Sequence, residues 1–433
     1  MISFMVFRDC DYNEGMLRII PILLLIASPL VAADFRTLAG QHILLRTDVP
    51  ADPEVDALPA VFDQAFEQWC KYFDVDADDY SNWRPKGILL RSPASRERFV
   101  AAGIMPAGLW DFKSGYSQGL ELWLYDQRSP YYRRHLLLHE GMHCFMNSIL
   151  GGSGPPWYSE GMAELLATHK LHNGKLTVNY FPRNQKEVSK LGRIEMVREA
   201  ISAGRALSLG DVAAYGDTAH RENEPYGWCW AAAAFLDGHP RFRDRFRQLP
   251  KSLAKGEFSK QISRSFAQDR ALMAEEWQVY LANLDYGYDF TRMRLELAAG
   301  EPLPAKGATI EVNADRGWQS SGIALEAGRK YHLSAEGRFQ VMGKPKPWIS
   351  EASGVSIRYV QGQPLGLLLG TVRPDDFDAT QGKTPFAKPQ AIGTSAAFAP
   401  DQSGTLYLRI NEAPGELVDN VGELSVTVTP LPN

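Results

Sequence analysis

The apolar residues change their period partway along the chain, and that break limits the architectures open to it. From Pro155 to about Leu295 they recur mainly at helical spacing. Pro225 opens a run with Trp228, Trp230, Phe235 and Leu236, and Phe258, Ile262, Phe266, Leu272, Trp277, Tyr280, Leu281 and Leu284 continue it. Beyond position 308 short strands take over, with candidates at Lys330 to Ser334, Gly354 to Tyr359, Leu365 to Thr371, Thr405 to Ile410 and Glu423 to Val428. Between the two regimes, residues 298–308 (AAGEPLPAKGA) are small, Pro/Gly-rich and aperiodic, which reads as a linker. A chain of 433 residues is too long for one ordinary core, so at least two domains are expected, the last an all-β sandwich.

Ahead of Pro155 the material alternates as in an α/β domain, and with the helical half that follows it makes an α+β domain. His42 to Arg46 and Gly87 to Arg91 read as strands, Val55 to Phe73 as an amphipathic helix, and Ser95 to Ala102 as a short helix. Leu120, Leu122 and Leu124 alternate with Glu121, Trp123 and Tyr125, the period of a strand with one covered face. Pro130 ends it. A helix is predicted from about Tyr131 to Leu150, stopped by Gly151, Gly152 and Gly154.

The hydrophobic fraction is 45% and the charged fraction 22%, as in folded globular chains. A net charge of -5 without long Lys/Arg runs argues against a nucleic-acid partner. From Met16, Arg18, the apolar stretch Ile19 to Leu30, and Val31-Ala32-Ala33 follow the order of a secretory signal peptide, with cleavage expected after Ala33. Asp9, Asp11 and Glu14 do not suit a signal, which leaves Met16 as an alternative start. The chain is therefore expected to be exported, secreted or periplasmic, with no integral span after signal removal. Removing residues 1–33 takes Cys10 with it. Cys70, Cys144 and Cys229 remain, an odd number expected as buried thiols, although a Cys144–Cys229 bridge is open.

The chemistry concentrates in the predicted helix over 131–150. His139 and His143, four apart, stack on one helical face and can present two imidazoles to one ion, while Glu140 projects beside them. Catalytic zinc takes three protein ligands and acidifies a water, whose proton a neighbouring carboxylate such as Glu140 accepts as general base. A third ligand is supplied downstream, where Trp157-Tyr158-Ser159-Glu160-Gly161-Met162-Ala163-Glu164 places two glutamates again four apart. Glu160 is the candidate ligand, and Glu164 the candidate acceptor for the outer N–H of a ligand histidine. His135 lies one turn before His139 and reads as helix surface or as outer support for the ligands.

The HExxH helix followed by W-Y-x-E-G-x-A-E resembles the gluzincin clan of zinc metallopeptidases, especially the peptidase-MA-like domains of bacterial envelope proteins. A metzincin is excluded, because it would need Gly in place of Met146 and His in place of Ile149. The resemblance implies a zincin-like fold, in which a mixed sheet has an edge strand lining the cleft beside a helical lobe. It also implies peptide or protein substrates and a donor to the tetrahedral oxyanion. Tyr226, in PYGWCWAAAAFL, is the candidate donor and His220 the alternative.

The stretch from Trp318 to Val428 resembles galactophilic bacterial lectins of the PA-IL type, in which a final loop holds calcium and the calcium holds a glycan. Carried over by position, Glu412, Glu416, Asp419 and Asn420 occupy the calcium-loop places. Glu412, Glu416 and Asp419 depart from the family's residues, although all four offer oxygen. The expected organisation is a signal over 1–33, a metallopeptidase domain over 34–297, a linker over 298–308 and a lectin-like sandwich over 309–433. The expected function is zinc-dependent peptide hydrolysis. The alternative is a carbohydrate-binding envelope protein built on an inactive peptidase-like scaffold.

Overall fold

The computed structural model describes residues 35–216 and 222–432. The expected signal segment and His220 lie outside the described residues. A five-stranded mixed sheet comes first, in the order β1-β2-β3-β5-β4. It is built from β1 (Arg36–Ala39), β2 (Leu44–Thr47), β3 (Lys86–Leu90), β4 (Gly115–Gln118) and β5 (Glu121–Tyr125). β2, β3 and β5 run parallel, and β1 and β4 are antiparallel edges. Parallel neighbours need a crossover, which α1 (Pro53–Asp56) and α2 (Leu58–Phe73) supply between β2 and β3. α3 (Arg96–Ala101) follows β3.

β5 corrects one expectation. Leu122 and Leu124 enter the large core, while Trp123 and Tyr125 enter a second cluster with Ile88, Leu90, Phe99 and Phe112. Both faces are therefore covered, as for strands inside a parallel sheet, and Leu120, expected inside, is 43% exposed.

α4 (Pro130–Ser148) follows at once. Ser129 caps it by accepting from the Tyr132 N–H at 3.2 Å, and Pro130 takes the first helical position, where no N–H is needed. α5 (Pro156–Ala167) also begins on a proline and packs between α4 and α8 (Glu224–Gly238). A Cβ at position 161 would stand 2.8 Å from the Cys229 carbonyl oxygen, so Gly161 is what lets α5 and α8 approach.

Between α5 and α8 lie β6 (His169–His172), β7 (Lys175–Val178), α6 (Arg193–Ser202) and α7 (Leu209–Ala213). The β6–β7 hairpin interrupts a region expected to be helical. Asn173 and Gly174 at its tip have φ of 49° and 74°, the left-handed pair that a tight hairpin turn requires. α9 (Arg243–Gln248), α10 (Phe258–Phe266), α11 (Arg270–Ala282) and α12 (Phe290–Met293) complete the helical part. Cys70, Cys144 and Cys229 are buried free thiols, so the Cys144–Cys229 bridge is absent.

In the rest of the described chain the regular elements are strands, apart from short 3-10 turns at Pro385–Ala387 and Leu417–Asp419. β8 (Glu301–Pro302), β10 (Gln319–Leu325), β14 (Ser353–Val360), β15 (Gln363–Arg373), β16 (Gln390–Ala391) and β18 (Gly404–Ile410) form one sheet. β9 (Ala308–Asn313), β11 (Tyr331–Glu336), β17 (Ser395–Phe398) and β19 (Glu423–Pro430) form the second. β12 (Phe339–Met342) pairs with β13 (Trp348–Ser350). Leu333, Leu365, Leu368, Leu406, Leu424 and Val426 are among the residues of their shared core.

Residues 298–308 are held in place. The Ala298 N–H donates to the Tyr407 hydroxyl at 3.1 Å, and β8 pairs with β10. Val279 and Leu295 meet Trp318, Leu369, Phe386 and Tyr407 in one buried cluster. Beside them Arg373 Nε donates to both oxygens of Glu275 at 3.0 Å. Among the described residues no helix is long and apolar enough to cross a membrane.

Candidate metal centre

α4 and α5 bring three lone-pair atoms together. His139 Nε2 lies 3.2 Å from His143 Nε2, and Glu160 Oε2 lies 3.3 Å from the first and 3.5 Å from the second. Glu160 Oε2 is buried without a hydrogen-bond donor. Tetrahedral zinc with ligand bonds of about 2.0–2.1 Å separates its ligand atoms by about 3.3–3.4 Å, so the spacing here fits one such ion. The donors fit as well, since two imidazoles and a carboxylate are a ligand set that zinc favours.

The charges of the ion-free chain are arranged around this point. Burial alone would lower the His139 pKa, but the carboxylates of Glu160, Glu164 and Glu140 raise it to about 10. Burial alone would raise Glu160, yet His143 and His139 hold it below the usual carboxylate range. A cation held there would replace a proton on the imidazoles and would meet a carboxylate already ionised.

The side chains around the triad fix its rings. Glu164 is 1% exposed, and its Oε1 lies 3.3 Å from His139 Nδ1. Its Oε2 lies 3.2 Å from His135 Nε2. His135 is fully buried, which rules out its reading as helix surface. Arg193, from the start of α6, grips the same carboxylate with Nε at 2.8 Å and Nη2 at 2.7 Å. The Ser159 hydroxyl lies 3.3 Å from His143 Nδ1.

Glu140 points to the other side, toward the sheet edge. Ser117 on β4 donates to its Oε2 at 2.8 Å, and a Cβ at position 115 would stand 2.6 Å from its Oε1. Gly115 thus leaves room for the carboxylate that Ser117 anchors. The Tyr226 ring sits 5.9 Å from the His139 ring and edge-on to it. Burial and the charges of Glu160, Glu140 and Glu164 push its phenol well above the ordinary value, so it stays protonated and able to donate.

Ser117, Ser159 and Arg193 were not legible as site residues. Ser117 and Arg193 come from other elements, β4 and α6, and nothing in their local sequence marks them. Ser159 alone had a local signal, since it precedes Glu160 on the same helix.

Of the four loop residues, Glu412 lies close enough to Glu416 and Asn420 to feel both. Glu412 is 1% exposed and accepts the Ala413 N–H at 2.7 Å, and burial first of all lifts its carboxyl to about 7. Glu416 pairs with Arg358, and Asp419 Oδ2 accepts the Gly343 N–H at 2.9 Å. Asn420 donates to the Ala314 carbonyl at 3.0 Å. Glu412 Oε2 and Asn420 Oδ1 remain buried without hydrogen-bond partners. Among the described residues, Glu412, Glu416 and Asp419 do not gather as a ligand triad. The loop is also packed against the helical part: Pro414 accepts from the Asp289 N–H at 2.9 Å, and Leu417 joins the large core.

No protein-family model matches this chain. No curated protein matches it either. Among solved structures, the EclA N-terminal domain, described as a PllA-like lectin, aligns over 28% of this chain and 95% of its own, with 20% identity and a TM-score of 0.22. The IMPa metallopeptidase in complex with T-antigen aligns over 91% of this chain at 13% identity and a TM-score of 0.18. IMPa from Pseudomonas aeruginosa in complex with an O-glycopeptide aligns over 64% of this chain at 13% identity and a TM-score of 0.16. The alignments span 42% and 26% of those two chains. These likenesses are weak.

Proposed function

We propose that this chain is an exported zinc-dependent metallopeptidase in which His139, His143 and Glu160 hold the ion, Glu140 is the general base and Tyr226 donates to the oxyanion. The observation that carries this reading is the meeting of three lone-pair atoms 3.2–3.5 Å apart beside a separately anchored carboxylate. An ion held there supplies Lewis acidity, which polarises a carbonyl and acidifies water.

Glu140 takes the proton of the attacking water and passes it to the leaving amine. Ser117 keeps the carboxylate in one place, so the transfer needs no rearrangement of the side chain. Tyr226, protonated at neutral pH, donates to the negative charge that develops on the carbonyl oxygen. Glu164 holds His139 by its outer nitrogen, which leaves Nε2 directed at the centre. β4 is the sheet edge nearest Glu140, and its unpaired backbone groups suit an extended peptide.

In the same reading residues 1–33 are the export signal, 34–297 the catalytic domain and 309–433 a lectin-like domain. The alternative, a carbohydrate-binding protein on an inactive scaffold, gives no reason for Ser117 to anchor Glu140 beside the triad. The purified chain is expected to cleave unfolded protein or peptide substrates, to stop when 1,10-phenanthroline is added, and to recover with about one equivalent of zinc. Cleavage that continues undiminished under chelation would overturn the proposal.

A further inference from the structure

The buried Arg193 guanidinium stands where α5, α6 and α8 meet. It is the first residue of α6, and Ile194, Val197 and Ala200 bury that helix beside α8. Its side chain is 10% exposed. It reaches Glu164 of α5 with two hydrogen bonds, and its carbon centre faces the Tyr226 ring of α8 at 5.4 Å. Glu164 in turn lies 3.3 Å from His139 and 3.2 Å from His135, both of α4. One cation therefore sits at the junction of three helices that carry His139, Glu164 and Tyr226.

His135, His139 and Glu164 form a second group with the makings of a cation site, entirely buried. At this group Arg193 is already bonded to both carboxylate oxygens, so the protein supplies its own positive charge there. A buried carboxylate between two imidazoles would otherwise be free to rotate toward either ring. The guanidinium fork fixes the plane of the carboxylate, and only a planar donor with two parallel N–H groups does so.

We infer that Arg193 is a positioning residue for the metal centre. It acts through Glu164 to fix the ring and tautomer of His139, and thereby sets metal affinity. This inference rests on the metallopeptidase reading above. It also goes past it, because it assigns the strength of metal binding to a residue that is not itself one of the three ligands.

The test is zinc affinity, measured by competition with a chromophoric chelator on the full mature chain, for wild type, Arg193→Gln, Arg193→Lys, Glu164→Gln and the Arg193→Gln/Glu164→Gln double variant. Circular dichroism and thermal melts establish that each is folded. Arg193→Gln is expected to weaken zinc binding about 10- to 100-fold, the usual cost of losing such outer support. Arg193→Lys keeps the charge but not the fork and is expected to recover only part of the loss. The double variant is expected to be no weaker than Glu164→Gln alone, because both changes break the same link.

Arg193→Gln affinity within threefold of wild type would overturn the inference, as would losses that add in the double variant. If Arg193→Gln does not fold, Arg193→Lys and Glu164→Gln carry the test: wild-type affinity in both would overturn it. A wild-type chain that binds no zinc would instead overturn the metallopeptidase reading itself, so the two failures are distinguishable.

Discussion

Glu140→Gln is expected to lower peptide hydrolysis by about 10²- to 10⁴-fold, the range that a positioned general base contributes, while zinc content stays at the wild-type level. The reason lies in the separation of two carboxylates. Glu160 shares a point with His139 and His143, whereas Glu140 is turned to the sheet edge and held by Ser117. Glutamine keeps the size of the side chain and can still face the serine hydroxyl, but it cannot accept the proton of water. The substitution therefore separates proton transfer from ion binding. Metal content and kcat/KM measured on the same preparation check this. Loss of zinc along with activity would mean that Glu140 is a ligand rather than a base.

Arg373→Ala is expected to cost about 3–5 kcal/mol of stability, read as a shift in the denaturant midpoint. Glu275 is 1% exposed, and its carboxylate receives Nε and Nη2 of Arg373 together with the Thr384 hydroxyl at 3.0 Å. Truncating the arginine leaves a buried carboxylate between α11 and β15 with most of its donors gone. Changing both partners, Glu275→Gln with Arg373→Met, removes the uncompensated charge and is expected to restore part of the stability. A loss below about 1 kcal/mol in Arg373→Ala would show that water reaches the carboxylate.

The helical pieces of the site were legible because their chemistry is local. His139 and His143 are four apart on α4, Glu160 and Glu164 four apart on α5, and helical spacing alone stacks each pair. The strands that flank the site were harder to read. β4 has no alternation in Gly115-Tyr116-Ser117-Gln118 and exists through its pairing with β5. β5 looked half covered because the residues that close its other face, such as Phe99 and Phe112, come from the connection between β3 and β4.

The β6–β7 hairpin carried its own signal in Asn173-Gly174, which the helical period on both sides concealed. Arg193 and Ser117 had none, since an ionic or hydrogen-bonded partner many residues away leaves no spacing to read. In the loop at 412–420 the oxygen-bearing side chains in a row suggested shared coordination. Glu416 pairs with Arg358 and Asp419 accepts from Gly343, whereas Glu412 Oε2 and Asn420 Oδ1 are buried without hydrogen-bond partners.

The central claim is that His139, His143 and Glu160 hold one zinc ion. The most direct test is elemental analysis of the purified chain after dialysis against a weak chelator, beside His143→Ala and Glu160→Gln. About one zinc per chain in the wild type, and a small fraction of that in both variants, is the result this account predicts. A wild type without zinc, or variants that keep it at full stoichiometry, would contradict it.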